Sequence, residues 1–203
     1  MENKTIFFKM METMLEKGKL TVEELEKMSK MISKELGVSE KFKWCVDWKI
    51  SKFNSDELAN LGTKATPYEV KTAKANITLN NGIEMMWKIV GGITEGGVTP
   101  FSNSNARIFV GSSTTAENAT QTGVITPLGN AGMDVGFPQV QGRSIIFQGT
   151  FKSEEALGNW REVSVANGNG ANAVSLNRKV EDMGTKASGT SWVMKLTISA
   201  ITG

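Results

Sequence analysis

Hydrophobic and polar positions along this chain follow two different periods. From residue 42 to 50 the alternation is strict, with Phe42, Trp44, Val46, Trp48 and Ile50 on one side and Lys43, Cys45, Asp47 and Lys49 on the other. A period of two is that of a strand with one buried face. Short apolar or alternating runs return at 70–75, 106–111, 144–151, 159–166, 173–180 and 191–201. Their separators include Gln141-Gly142 and Asn167-Gly168-Asn169-Gly170, which supply the positive φ angles of tight turns. Strands spaced in this way predict an antiparallel sandwich or barrel. One compact helix interrupts them at 83–90, carrying Ile83, Met85, Met86, Trp87 and Ile89 and ended by Gly91-Gly92. The polar stretch 53–66, closed by Thr66-Pro67, reads as a loop.

Before residue 41 the period is helical. A first helix carries Ile6, Phe7, Met10, Met14 and Leu15 and stops at Gly18. A second opens with Thr21 and Glu24 at capping-box spacing, flanked by Leu20 and Leu25 at the staple positions. Leu25, Met28, Ile32 and Leu36 then form one apolar stripe, and Gly37 ends it. Two such helices cannot bury both stripes on each other, so the hairpin must pack on the rest of the chain or on another subunit. The expected fold class is therefore α+β: a helical hairpin at 1–40, acting as a docking or oligomerisation arm, then a mainly antiparallel β-rich domain at 41–203 with one short helix. The stripe Leu25, Met28, Ile32 and Leu36 is the candidate assembly interface.

Composition sharpens that division. Residues 1–100 hold 29 of the 44 charged side chains, whereas 17 of the 21 glycines lie from Gly91 onward. Charged, glycine-poor sequence favours helix, and glycine with Ser, Thr and Asn favours strands joined by turns. With 23 basic and 21 acidic residues the net charge is +2, too small to favour nucleic acid, an anionic membrane or an acidic substrate. The chain has no histidine, which removes the commonest general acid/base and the commonest metal ligand. One cysteine forms neither an internal disulfide nor a thiolate cluster, in keeping with a reducing compartment. The first 20 residues lack the pattern of a signal peptide, and no apolar run reaches the roughly 20 residues that span a bilayer. The expectation is a protein that is not an enzyme and needs neither cofactor nor metal.

The remaining chemical candidates have plainer readings. The glycine runs at 91–97 and 184–189 lack the P-loop pattern and read as turns. Glu154-Glu155 and Glu181-Asp182 are adjacent carboxylates, which point apart on a strand and read as solvated. Cys45 has no histidine to activate it and reads as a packed or half-exposed thiol. Trp44, Trp48, Trp87 and Trp192 are expected in the core, while Trp160 stays open between core and a stacking surface.

A resemblance adds what these patterns do not carry. The ordered segments Asn105-Ala106-Arg107, Val110-Gly111-Ser112, Trp160-Arg161-Glu162, Leu176-Asn177-Arg178-Lys179 and Gly184-Thr185-Lys186, closed by Trp192, resemble small structural proteins of tailed-bacteriophage virions, over residues 76–201. The resemblance implies a virion component made in the bacterial host cytoplasm, a capsid-decoration protein or part of the neck, tail or fibre. Its partners would be other virion proteins and copies of itself in a homo-oligomer, with no nucleic acid and no membrane. A receptor- or glycan-binding virion module using loop aromatics is the alternative. None of these segments implies a catalytic residue.

Overall fold

The computed structural model describes residues 42–94 and 98–202. The helical hairpin expected at 1–40, with Leu25, Met28, Ile32 and Leu36, lies outside the described residues. Strand β1 spans Phe42–Phe53 and is followed by a short helix α1, Asp56–Asn60, and a 3-10 turn at Gly62–Lys64. Then come β2 (Glu69–Lys74), β3 (Ile77–Thr78) and helix α2 (Asn80–Val90). The second half holds β4 (Ala106–Gly111), β5 (Pro127–Gly132), β6 (Gln139–Gln141) and β7 (Ser144–Phe151). It closes with β8 (Gly158–Asn167), β9 (Val174–Ser175), β10 (Asn177–Lys186) and β11 (Ser191–Thr202). No helix among the described residues is long and apolar enough to cross a membrane.

The strands form two sheets. One runs β2-β1-β11-β7-β6 and the other β3-β10-β8-β4-β5, with β9 also paired to β8. The ladders β1–β2, β7–β11, β6–β7, β4–β5, β4–β8 and β8–β10 are all antiparallel. Both sheets contribute to one hydrophobic cluster: Val46, Trp48 and Ile50 from β1 and Phe147, Phe151, Trp192, Met194 and Leu196 from β7 and β11 meet Ile108, Val110, Val163 and Val165 from β4 and β8. The architecture is mainly β, a sandwich of two mostly antiparallel sheets with two short helices among the described residues.

Three aromatic rings join the layers. Phe151 and Trp192, opposite each other on β7 and β11, both meet Trp160 from the other sheet, edge to face, with centroids 4.6 and 4.8 Å away. The Trp160 indole N–H donates to the Ala156 carbonyl at 2.7 Å, so the ring is buried without stranding its polar atom. The β1 alternation continues one step further than its apolar residues: Lys52 is buried, its ammonium 4.2 Å from the Trp192 ring centroid and 2.9 Å from Glu69 Oε2. Cation–π attraction and the carboxylate together make a lysine acceptable at that inward position.

Two glycines permit close approach. A Cβ at Gly149 in β7 would lie 2.7 Å from the Gly132 carbonyl oxygen of β5, so the sheets come together there by virtue of the missing side chain. A Cβ at Gly82 in α2 would lie 2.4 Å from the Leu176 carbonyl oxygen, and this contact lays the helix against the β9–β10 junction.

Several expectations are corrected. Residues 53–66 are not all loop: Ser55 caps α1, accepting the Leu58 N–H at 3.3 Å, with Asp56 and Glu57 in the first turn. The helix at 83–90 begins earlier, at Asn80. The run 173–180 is two strands, β9 and β10, divided at Leu176. Strands β3, β5 and β6 carry too little alternation to announce themselves. Finally, Trp87 is not in the core; it is 68% exposed.

Candidate functional site

Three clusters outside the plain core carry polar or surface chemistry. The first is a buried ion pair. Glu162 on β8 and Arg178 on β10 are both fully buried, with Arg178 Nε and Nη2 2.9 and 2.8 Å from Glu162 Oε2. They lie beside Val163 and Lys179, which are register partners. Glu162 also accepts the backbone N–H groups of Ser113, Ile125 and Thr126 at 3.2, 2.8 and 2.8 Å. Arg178 Nη1 donates to the Thr115 carbonyl at 3.0 Å and to Gln121 Oε1 at 2.8 Å. The pair thus clamps the 112–126 connection onto the sheet. Apart from Arg178 Nη2, which has the carboxylate beside it but no aligned hydrogen bond, its polar atoms are engaged by the fold, which is how a buried charge pair is tolerated.

The neighbouring residues act likewise. Asn177 Oδ1 accepts the Val165 N–H at 2.9 Å and Leu176 N–H donates to the Val165 carbonyl at 2.7 Å, bridging the point where β8 changes partner from β10 to β9. Lys186 is buried and its ammonium donates to the Lys152 carbonyl at 2.6 Å. Burial lowers its pKa, opposed by the charges of Asp56, Glu155 and Glu154.

The second cluster is a polar cleft of about 630 Å³ beside β5 and β7. Several of its groups answer one another: Asp134 accepts from Gln148 Nε2 and Thr150 Oγ1, both at 3.0 Å, and Arg107 Nη1 donates to Asn130 Oδ1 at 3.3 Å, while Arg107 Nε is buried without a hydrogen-bond partner.

The third is an apolar groove of about 400 Å³ at the α2 end of the sandwich. Trp44 of β1, Met86, Ile89 and Val90 of α2, Ile145 of β7 and Ile198 of β11 line it, and Val140 of β6 stands at its rim. At 100° per residue, α2 turns Gly82 and Met85 into the protein and Met86 and Val90 toward the groove. Ile83 and Trp87 follow on the outer side. Asn80, Asn81, Glu84 and Lys88 hold the polar side, where the Lys88 ammonium, 2.8 Å from Glu84, bonds to that carboxyl and keeps its pKa below the ordinary value. The apolar arc is therefore roughly 200° wide, about twice what a helix needs to cover one core. Its surplus is exposed: Ile83 by 43%, Trp87 by 68% and Val90 by 73%, beside Val140 at 76%.

The candidates read from the sequence disperse over the molecule. Cys45 is a free, partly buried thiol on β1. Glu154 accepts from Ser188 Oγ at 2.6 Å, Glu155 accepts the Lys152 N–H at 2.9 Å, and Asp182 pairs with Arg161 at 2.8 Å, so these carboxylates serve turns and surface pairs. Gly91 caps α2 and Gly184 lies in the irregular part of β10. Trp160 is fully buried, which resolves its open reading in favour of the core. Among the described residues no three of His, Cys, Asp or Glu gather as a metal site. The exposed face of α2 went unanticipated, although the width of its apolar arc is written in residues 82–90. No family model, curated protein or solved structure matches the chain.

Proposed function

We propose that the chain is a structural component of a tailed-bacteriophage virion, a capsid-decoration or neck- or tail-associated protein, and that it works by symmetric protein–protein assembly. Copies of itself and other virion proteins are its partners. It is made in the host cytoplasm and resides in the particle, with no catalytic step, cofactor or metal. The phage assignment is supported by the ordered segments between Asn105 and Trp192. Their residues hold the fold: Trp160 packs the core, Glu162 and Arg178 clamp a connection, and Asn177 bridges a ladder. Motifs spent on architecture suit a protein whose product is a shape.

The observation that carries the assembly reading is the apolar face of α2 and its adjoining groove. An exposed Trp and Val on one helix, beside a groove with apolar walls, is surface that favours a partner over water. The glycan-binding alternative draws less support. It needs an exposed aromatic among hydrogen-bonding groups, yet Trp160 is buried, the half-exposed Tyr68 has its hydroxyl engaged by Trp192 Nε1 at 3.3 Å, and Trp87 lies between Ile83 and Val90 on its helix. In this reading the stripe Leu25, Met28, Ile32 and Leu36 supplies a further assembly contact.

The test is location. Gold-labelled antibody against the chain, applied to purified phage particles and viewed by electron microscopy, should decorate regular positions on head, neck or tail. Particles without label, alongside lysate that retains the chain, would overturn the proposal.

A further inference from the structure

We infer that the α2 face joins two copies of this chain about a two-fold axis, Trp87 of each copy entering the apolar groove of the other. This inference rests on the assembly reading and names its partner. A knob and a hole stand next to each other on the same surface: Trp87 projects from the outer side of α2, and Met86 and Val90 of the same helix form one wall of the groove. A two-fold rotation that brings one knob to the opposite hole brings the second knob to the first hole as well, which is the isologous arrangement of most homodimers. A small ligand filling the groove would leave Trp87 in water.

Size and charge agree with that occupant. The groove, about 400 Å³, is large enough for an indole and its neighbouring helix side chains. Arg143 is the one charged residue among those lining it, and Glu84, one turn before Trp87 on the edge of the patch, is neutralised by Lys88. Two copies therefore meet without opposing a row of like charges. The exposed parts of Ile83, Trp87, Val90 and Val140 with the groove walls come to roughly 600 Å² per copy, so a pair buries about 1,200 Å², the lower end for specific interfaces. Interfaces at that end are commonly reversible, and a dissociation constant on the order of micromolar is the value put to the test. A Trp at the centre of such a patch is also the residue type that most often dominates an interface.

Sedimentation velocity of the full chain tests the pairing. The wild type should pass from monomer to dimer as concentration rises through the micromolar range. Trp87→Ala removes the knob and Ala200→Trp fills the hole, and each variant should associate at least ten times more weakly. Mixed in equal amounts the two should form heterodimers, because the Trp87 retained by one enters the groove left open in the other. Val140→Glu, at an exposed position on the groove rim, replaces Ala200→Trp if that variant does not fold. A wild type that stays monomeric, a Trp87→Ala chain that pairs as tightly as the wild type, or a mixture that stays monomeric overturns the inference. Loss of association through Leu25→Glu with Met28→Glu, but not through Trp87→Ala, would make the N-terminal stripe the occupant and overturn it too. The two proposals fail separately: unlabelled particles with intact dimers remove the virion reading, and labelled particles containing a monomeric chain remove the Trp87 pairing.

Discussion

Trp192 and Trp87 stand in regular apolar patterns of equal clarity, yet one is buried and the other is mostly in water. Around Trp192 every direction is filled: Phe151 opposite it on the neighbouring strand, Trp160 from the facing sheet, and Lys52 over the ring. Trp87, on the outer side of its helix, keeps most of its surface exposed. A period of two or 3.6 tells which element a segment forms and which side is apolar. It says nothing about how much of that side its own chain can cover. Where the apolar arc exceeds one core-facing stripe, as in α2, the surplus marks a place for a partner.

That contrast can be broken by mutation, and the buried side should give the large effects. Glu162→Ala leaves Arg178 buried without its countercharge and frees three backbone donors, so unfolding free energy should fall by about 3–5 kcal/mol or more in a denaturant titration. Trp192→Ala empties the space beside Phe151 and Trp160 and should cost about 3–5 kcal/mol. An unchanged midpoint for Trp192→Ala would mean that the sandwich core is misplaced. Gly149→Ala pushes a methyl against the Gly132 carbonyl, for a loss of about 1–3 kcal/mol. Trp87→Ala, measured dilute enough for the chain to be monomeric, should move stability by no more than about 0.5 kcal/mol, since it removes contacts with water.

Much of the sandwich was legible because its central strands have one wet and one dry face. β4 and β7 match the runs 106–111 and 144–151 at both ends, and β8 and β11 differ from theirs by a residue or so at the ends. The edges were not legible. β5, Pro-Leu-Gly-Asn-Ala-Gly, has the composition of a turn and is a strand because β4 offers it a ladder from Arg107 to Gly111. α1 spans five residues, too few for a helical period to show, although Ser55-Asp56-Glu57 is a fair N-terminal signature. The clamp of Glu162 on Arg178 joins residues 16 apart to a connection some 40–60 residues earlier, and no local pattern encodes that meeting. The candidate site was half visible: Trp87 was singled out, and its place was misjudged because an apolar helix was equated with a buried one.

The most direct measurement follows the five tryptophans by fluorine NMR of chain labelled with fluorotryptophan, with Trp87→Phe and Trp44→Phe used to assign two of the signals. Raising the concentration from dilute into the high-micromolar range should move the Trp87 signal and that of Trp44, which lines the groove, while Trp48, Trp160 and Trp192 hold their positions. A Trp87 signal that ignores concentration, or one that moves only together with the three buried rings, would contradict the account.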